Sequence, residues 1–100
     1  MEEKRVHPRA AVVFEVVCED ASGTSFTGQV MDLSLGGIFV EAEQSPPFGS
    51  KLIFVGKIPG MAVESRLPGT VRWTKPGGFG VQFGPLGARE THAITELMRG

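Results

Sequence analysis

The chain has 100 residues, of which 41% are hydrophobic and 21% charged, with a formal net charge of −1, and this predicts one globular domain with a single modest core. The near-neutral charge argues against a general binder of nucleic acids or anionic membranes, which needs a broad basic surface. A single cysteine excludes an internal disulfide, and the chain shows neither a secretion signal nor a run of about 20 apolar residues, so we expect a cytoplasmic protein with no membrane insertion.

The N-terminal residues 1–10 are polar and basic, which predicts a flexible arm. Pro8 pushes His7 towards extended geometry, so Arg5 and Arg9 are not stacked on one helical face. Beyond the arm, apolar and polar residues alternate in short runs that glycine and proline turns separate. This pattern predicts six strands, over residues 11–19, 25–35, 38–42, 51–57, 61–73 and 79–83.

Three details of these strands bear on the core. In the fifth strand, Trp73 alternates with apolar residues that face inward, so we expect its ring in the core together with Phe79. Pro68-Gly69 predicts a bend or bulge midway along the same strand. Cys18 alternates with apolar positions of the first strand and is expected to be a buried hydrophobic side chain.

Residues 87–99 give the one helical pattern, since Ala93, Ile94, Leu97 and Met98 share a face. Six short strands followed by a helix predict an all-β domain. The expected architecture is a small antiparallel barrel over residues 11–84, with the helix covering one opening or face.

Two short motifs carry the candidate chemistry. The first, RVHPR, holds Arg5 and Arg9, and the second, DLSLGG, runs from Asp32 to Gly37. An arginine fork binds a phosphate, or the O6/N7 edge of guanine, through two parallel hydrogen bonds. A carboxylate accepts from the N1–H and N2–H₂ donors of guanine, a pairing that adenine does not reproduce. The two motifs together therefore suit a ligand that carries both phosphates and guanines.

The pair of motifs resembles the RxxxR and [D/N]xSxxG motifs of the PilZ family, bacterial receptors for cyclic di-GMP (c-di-GMP). The stretch from Val71-Arg72-Trp73 through FGVQF, residues 79–83, is also similar to the closing strands of that family. The resemblance spans nearly the whole chain. It implies that residues 1–100 are one PilZ domain, a six-stranded antiparallel PilZ-like β-barrel with a C-terminal α-helix.

The resemblance also implies roles for the motif residues. Arg5 and Arg9 would fold across the ligand and contact its phosphates and guanine edges. Asp32 would read a guanine edge, and Ser34, two residues on in an extended segment, would bond a ligand oxygen or guanine donor nearby. Gly37 is the motif glycine and allows close backbone approach or a positive φ, and the added Gly36 eases the same bend.

Two residues of the arm are less certain members of the site. Lys4 precedes the first arginine, where a long basic residue in PilZ relatives is associated with an intercalated pair of ligands and an apolar residue with a single ligand. His7 lies between the two arginines and can touch a phosphate. Whether one or two ligands bind therefore stays open.

Purely structural interpretations exist for the same residues. Arg5 and Arg9 can be solvated charges on a frayed arm. The segment from Asp32 to Ser34 can be a bulge or turn that hydrogen-bonds its own backbone, and this is compatible with ligand contact. Gly36 and Gly37 can serve the turn alone.

The predicted function is that of a c-di-GMP receptor or adaptor that changes its surface on binding and signals to an unidentified effector protein. Motility, pili, exopolysaccharide production and transcription are the outputs that the resemblance implies. The alternative is a PilZ-like protein-interaction module that binds no nucleotide. We expect no enzyme, cofactor or metal site, because the sequence contains no nucleophile elbow, phosphate loop or metal-ligand spacing. Nucleic acid is not expected as a partner, and monomer and homodimer both remain open.

Overall fold

The computed structural model describes residues 12–99. The predicted arm, with Lys4, Arg5, His7 and Arg9, lies outside the described residues. The described chain forms six strands and one helix: β1 (Phe14–Asp20), β2 (Ser25–Leu33), β3 (Gly37–Glu41), β4 (Lys51–Gly56), β5 (Ser65–Lys75), β6 (Gly78–Phe83) and α1 (Ala88–Met98). All neighbouring strands are antiparallel, and they close into a barrel in the order β1-β2-β3-β6-β5-β4. The predicted barrel with a C-terminal helix is confirmed.

The core of the barrel follows from the alternation of each strand, since inward side chains are apolar and outward ones mostly polar. The largest buried side chains are Phe54 and Phe79, whose ring centroids lie 6.5 Å apart. Burial of each such ring stabilises the fold by about 1.5–3 kcal/mol. Helix α1 adds the buried Ile94 to this core, and its Glu90 accepts a 3.0 Å hydrogen bond from Ser65 at the start of β5. These contacts fix the helix against the barrel.

Two β-bulges interrupt the alternation on the outer wall of the barrel. In β2 the register with β3 shifts between Val30 and Asp32, and in β5 the register with β6 shifts between Val71 and Trp73. An extra residue in one strand reverses the face towards which the following side chains point. Val30 and Val71 are therefore buried, whereas Asp32 and Trp73, two residues later, point outward.

The second bulge corrects two of the sequence predictions. Trp73 is 49% exposed, so the prediction of a core tryptophan is wrong, while Phe79 is buried as predicted. At Pro68-Gly69, where a bend or bulge was expected, the register between β4 and β5 is continuous, so no bulge lies there and a bend stays a prediction. The observed bulge lies further along β5, at Arg72. From this residue to Lys75, all four residues of the strand are exposed.

Cys18 is buried in β1, as predicted, and burial raises the pKa of its thiol to about 12. At pH 8 the reactive thiolate is therefore nearly absent, and the sulfur is shielded from reagents. We expect a disulfide reagent such as dithionitrobenzoate to label the native protein only as fast as the barrel opens, and denaturant to accelerate the reaction. Immediate stoichiometric labelling of native protein at pH 8 would contradict this burial.

Among the residues that the structure describes, no helix is both long and apolar enough to cross a membrane.

Candidate ligand site on the outer barrel wall

An open groove of about 600 Å³ crosses the outer wall of the barrel. Its lining comes from the end of β2, the β2–β3 turn, β3, β5 and β6: Asp32, Ser34, Gly36, Gly37, Ile38, Phe39, Arg72, Trp73, Lys75, Val81 and Gln82. The structure thus brings together the four predicted site residues of the second motif. It adds an aromatic pair, two cations and an amide that the sequence analysis did not assign to the site.

Four residues form a row across the strands that line the groove, one from each of four adjacent strands. Asp32 of β2 lies opposite Phe39 of β3, Phe39 lies opposite Gly80 of β6, and Gly80 lies opposite Trp73 of β5. At an interstrand spacing of about 4.8 Å, this transverse row follows the curved barrel wall for roughly 14 Å. A carboxylate stands at one end and an indole at the other. Each end follows a bulge, so the two bulges together expose the row.

Two residues of the row form an aromatic pair. The rings of Phe39 and Trp73 stack across Gly80, with centroids 5.3 Å apart and planes 11° from parallel. Because Trp73 is half exposed, part of this pair faces the groove. A nucleobase that stacks on such a ring gains about 1–3 kcal/mol, whichever base it is. The pair can therefore hold a base, while the edge of that base must be read by another group.

Two cations line the same groove. The Lys75 ammonium lies 4.9 Å from the centroid of the Phe39 ring, and the Arg72 guanidinium lies 5.8 Å from that of Phe48. Both distances are those of cation–π contacts, which orient the two side chains without neutralising their charge. The groove thus combines local positive charge with the carboxylate of Asp32, although the whole chain is slightly negative.

Ser34 has a structural role in the β2–β3 turn. It lies just beyond the end of β2, is 1% exposed, and its N–H donates to the Gly37 carbonyl at 2.9 Å. Its hydroxyl oxygen accepts from the N–H groups of Gly36 and Gly37 at 3.1 and 3.2 Å. The interpretation that this segment hydrogen-bonds its own backbone is therefore confirmed for Ser34. Its contact with a ligand stays a prediction.

Gly37 is required by close backbone approach. A Cβ at this position would collide with the carbonyl oxygen of Val81 on β6. Gly37 is not among the described glycines with a positive φ, so the left-handed geometry considered from the sequence is not used. The motif glycine therefore lets β3 pack against β6 directly beneath the groove.

The donor set of the groove does not suit a metal ion. Across residues 12–99, no cluster of three or more histidine, cysteine, aspartate or glutamate side chains could hold one. The groove offers instead a carboxylate, an amide, two cations and an aromatic surface, which is a set that binds an organic anion with a flat ring.

The model of the PilZ domain family matches residues 3–100, a range that includes both motifs. The chain belongs to the PilZ family. PilZ domains are a c-di-GMP-binding family of regulatory receptors rather than enzymes. The resemblance that the two motifs indicated is thus confirmed.

Solved structures share this PilZ fold. The PilZ domain of CeSA from a cellulose-synthesizing bacterium aligns with a TM-score of 0.70 and 20% identity, covering 92% of this chain and 95% of that one. The inhibitor of motility MotI/DgrA of Bacillus subtilis aligns with a TM-score of 0.76 and 17% identity, covering 98% of this chain and 51% of that one. PlzA of Borreliella burgdorferi, solved in complex with c-di-GMP, aligns with a TM-score of 0.75 and 17% identity, covering 96% of this chain and 41% of that one.

The chain thus spans nearly all of the CeSA domain, but only 51% of MotI/DgrA and 41% of PlzA. At 17–20% identity these likenesses show the fold alone. A search of curated proteins gives no significant match.

Proposed function

We propose that this PilZ domain is a receptor for c-di-GMP, without enzymatic activity, that holds its ligand between the arm and the outer groove. The observation that carries the proposal is the transverse row from Asp32 to Trp73. It sets a carboxylate beside an exposed aromatic pair. These are the two groups needed to read the edge of a guanine and to hold its face.

Guanine is the base that suits Asp32. Its N1–H and N2–H₂ donors match the two acceptor oxygens of a carboxylate, whereas the corresponding edge of adenine presents an acceptor at N1. Stacking on Phe39 and Trp73 would hold the base within the same groove, without discrimination between purines. In this proposal the aromatic pair supplies affinity, and Asp32 supplies selectivity.

The phosphates of the ligand need cations. Arg72 and Lys75 lie in the groove, and the arm is proposed to add Arg5 and Arg9, whose forks bind phosphate through paired hydrogen bonds. Such charge-assisted contacts must exceed the entropy of ordering the arm, about 1–2 kcal/mol per residue fixed. Lys4 and His7 lie beside these arginines in the sequence and would complete the phosphate contacts.

The output of this receptor is proposed to be a changed surface. An arm closed over its ligand forms, together with the groove, a surface that the free protein lacks, and an effector protein can bind it selectively. We propose that this happens in the cytoplasm. Motility, pili, exopolysaccharide production and transcription are the processes to examine for the effector.

The tryptophan of the row provides a direct test. The chain has one tryptophan and no tyrosine, so its intrinsic fluorescence reports on Trp73 and therefore on the groove. We expect c-di-GMP to change this emission saturably and to raise the melting temperature, with much weaker effects from cyclic di-AMP and GTP. An unchanged emission together with an unchanged melting temperature would favour the protein-interaction module that binds no nucleotide.

Replacement of Asp32 tests the guanine assignment. A hydrogen bond to a charged group contributes about 1.5–3 kcal/mol, so Asp32→Ala is expected to weaken c-di-GMP binding roughly 10–100-fold. Any residual affinity for cyclic di-AMP should change little, because adenine does not use the carboxylate. Glu41→Ala removes an exposed carboxylate of β3 outside the groove and serves as the control. Equal losses for the two cyclic dinucleotides, measured by calorimetry, would argue against guanine reading by Asp32.

A further inference from the structure

The outer face of β6 has no side chains at Gly78 and Gly80, beneath the aromatic pair. Gly78 and Gly80 alternate with the inward side chains of Phe79 and Val81, so both glycines face outward. Both are nevertheless buried, because the rings of Phe39 and Trp73 lie over them. The aromatic pair thus rests on a strip of strand that has no side chains of its own.

At Gly80 the requirement for glycine comes from the indole. Neither glycine of the strip has a positive φ, so their backbone conformations are open to other residues. A Cβ at Gly80 would overlap Trp73, whose indole supplies all three nearest atoms. At Gly78 a Cβ would lie 2.5 Å from the Phe39 ring but also 2.7 Å from the Val40 carbonyl, so the backbone contributes there. Gly80 is therefore the cleaner position.

We propose that Gly80 is a positioning residue for the ligand site. Its missing side chain leaves the space in which the Trp73 indole rests against β6 and stacks on Phe39. The groove then presents a preorganised aromatic surface to a nucleobase. A ligand that meets this surface does not have to order the indole first, which lowers the cost of binding. The ligand part of this inference rests on the proposed function.

A purely structural role for the same contact is that the rings stabilise a weak glycine-containing strand. Aromatic side chains that cover a glycine of a neighbouring strand have this effect in β-sheets. The two roles differ in what Gly80→Ala should change. A structural role predicts a change in the unfolding transition, whereas the positioning role predicts a change in the spectroscopy of Trp73 and in ligand affinity at nearly constant stability.

The experiment compares Gly80→Ala with Gly84→Ala. Gly84 also lacks a positive φ, and a Cβ there would approach nothing closer than Pro68, at 3.6 Å, which is ordinary contact. Since the indole is half exposed, it can rotate away from a new methyl group, so we expect Gly80→Ala to fold. The measurements are the denaturant unfolding transition, the emission and near-ultraviolet circular dichroism of the free proteins, and the c-di-GMP affinity by calorimetry.

For Gly80→Ala we expect altered Trp73 signals and c-di-GMP affinity lowered about tenfold, while Gly84→Ala changes neither. Because Gly80 acts through the indole, Gly80→Ala should add nothing to the loss caused by Trp73→Ala. Should Gly80→Ala fail to fold, the same change in the Trp73→Ala background, where the overlap is absent, is expected to fold.

Several results would overturn the inference. They are an unchanged Trp73 signal in folded Gly80→Ala, an unchanged ligand affinity, a further tenfold loss in the Trp73→Ala background, or a failure of the double variant to fold. If the wild-type protein binds no c-di-GMP, the proposed function fails on that result. The signals of free Gly80→Ala then still decide whether Gly80 positions the indole.

Discussion

Replacing both Arg5 and Arg9 with alanine is expected to reduce c-di-GMP affinity at least about 1,000-fold, while the melting temperature of the free protein stays nearly unchanged. Each arginine fork is proposed to bind the ligand through charge-assisted hydrogen bonds, and each such bond contributes about 1.5–3 kcal/mol. Because the two arginines are proposed to contact the ligand and not the barrel core, the loss should appear in binding alone. Calorimetric titration and thermal unfolding of the double variant measure both quantities.

The matched control for this variant removes the same charge elsewhere. Arg66 pairs with Glu19 on an exposed part of the barrel, and Arg99 pairs weakly with Glu96 at the end of α1. The double change Arg66→Ala and Arg99→Ala alters the net charge equally and should leave affinity within a fewfold of wild type, since surface pairs contribute little. Equal losses of c-di-GMP affinity in the two double variants would mean that the arm attracts the ligand only through its net positive charge. Unaltered affinity without Arg5 and Arg9 would remove the arm from the site.

The second large effect is expected on stability. Gly37→Ala should lower the free energy of unfolding by about 2–4 kcal/mol, because its Cβ would meet the Val81 carbonyl of the neighbouring strand. This neighbour is backbone and does not rotate away, so β3 and β6 must separate locally. Gly80 differs from Gly37, because a Cβ at Gly80 would meet the half-exposed side chain of Trp73, which can rotate away. Denaturant unfolding measures the change.

Gly84→Ala, one residue beyond the end of β6, is the control for this second effect and should unfold close to wild type. If Gly37→Ala retained wild-type stability but lost c-di-GMP binding, the motif glycine would serve the ligand rather than the barrel wall. We expect the reverse: Gly37→Ala lowers stability, and the fraction of the variant that is folded still binds c-di-GMP.

The sequence predicted the strands and the helix well, because their signals are local. Polar and apolar residues alternate in each strand, turn residues mark the gaps, and the face with Ile94 identifies the helix. The ends of the elements were less well predicted. The fifth strand was placed over residues 61–73 and is observed as Ser65–Lys75. Residues 61–64 alternate like a strand in sequence although they lie outside it. The last four residues of the strand are all exposed, so no alternation in the sequence marks where the strand ends.

The site was predicted only in part, and the bulges explain the difference. A single inserted residue in β5 reverses the orientation of every side chain after it, and no residue type in that strand marks the position of the bulge in the sequence. Trp73 was therefore assigned to the core, and Lys75 was not considered. The available signal lay in β6, where Gly78 and Gly80 leave an outer face that a neighbouring ring can cover.

The residues of the second motif lie together along the groove, and their assignment to a ligand site stays a prediction; they differ in role more than the sequence indicated. Both Asp32 and Ser34 line the groove, but Ser34 is 1% exposed and its hydroxyl closes the turn. The difference arises because β2 ends at Leu33, between the two residues. Ser34 therefore belongs to the β2–β3 turn and not to the strand in which alternate side chains share a face.

Calorimetric titration of the purified wild-type protein with c-di-GMP, at physiological ionic strength and with cyclic di-AMP and GTP as controls, tests the receptor assignment most directly. We expect saturable heat that is selective for c-di-GMP, and the stoichiometry will distinguish one bound ligand from an intercalated pair. The absence of heat with c-di-GMP in large excess, with an unshifted melting temperature, would contradict the receptor assignment and leave the groove as a barrel surface for another partner.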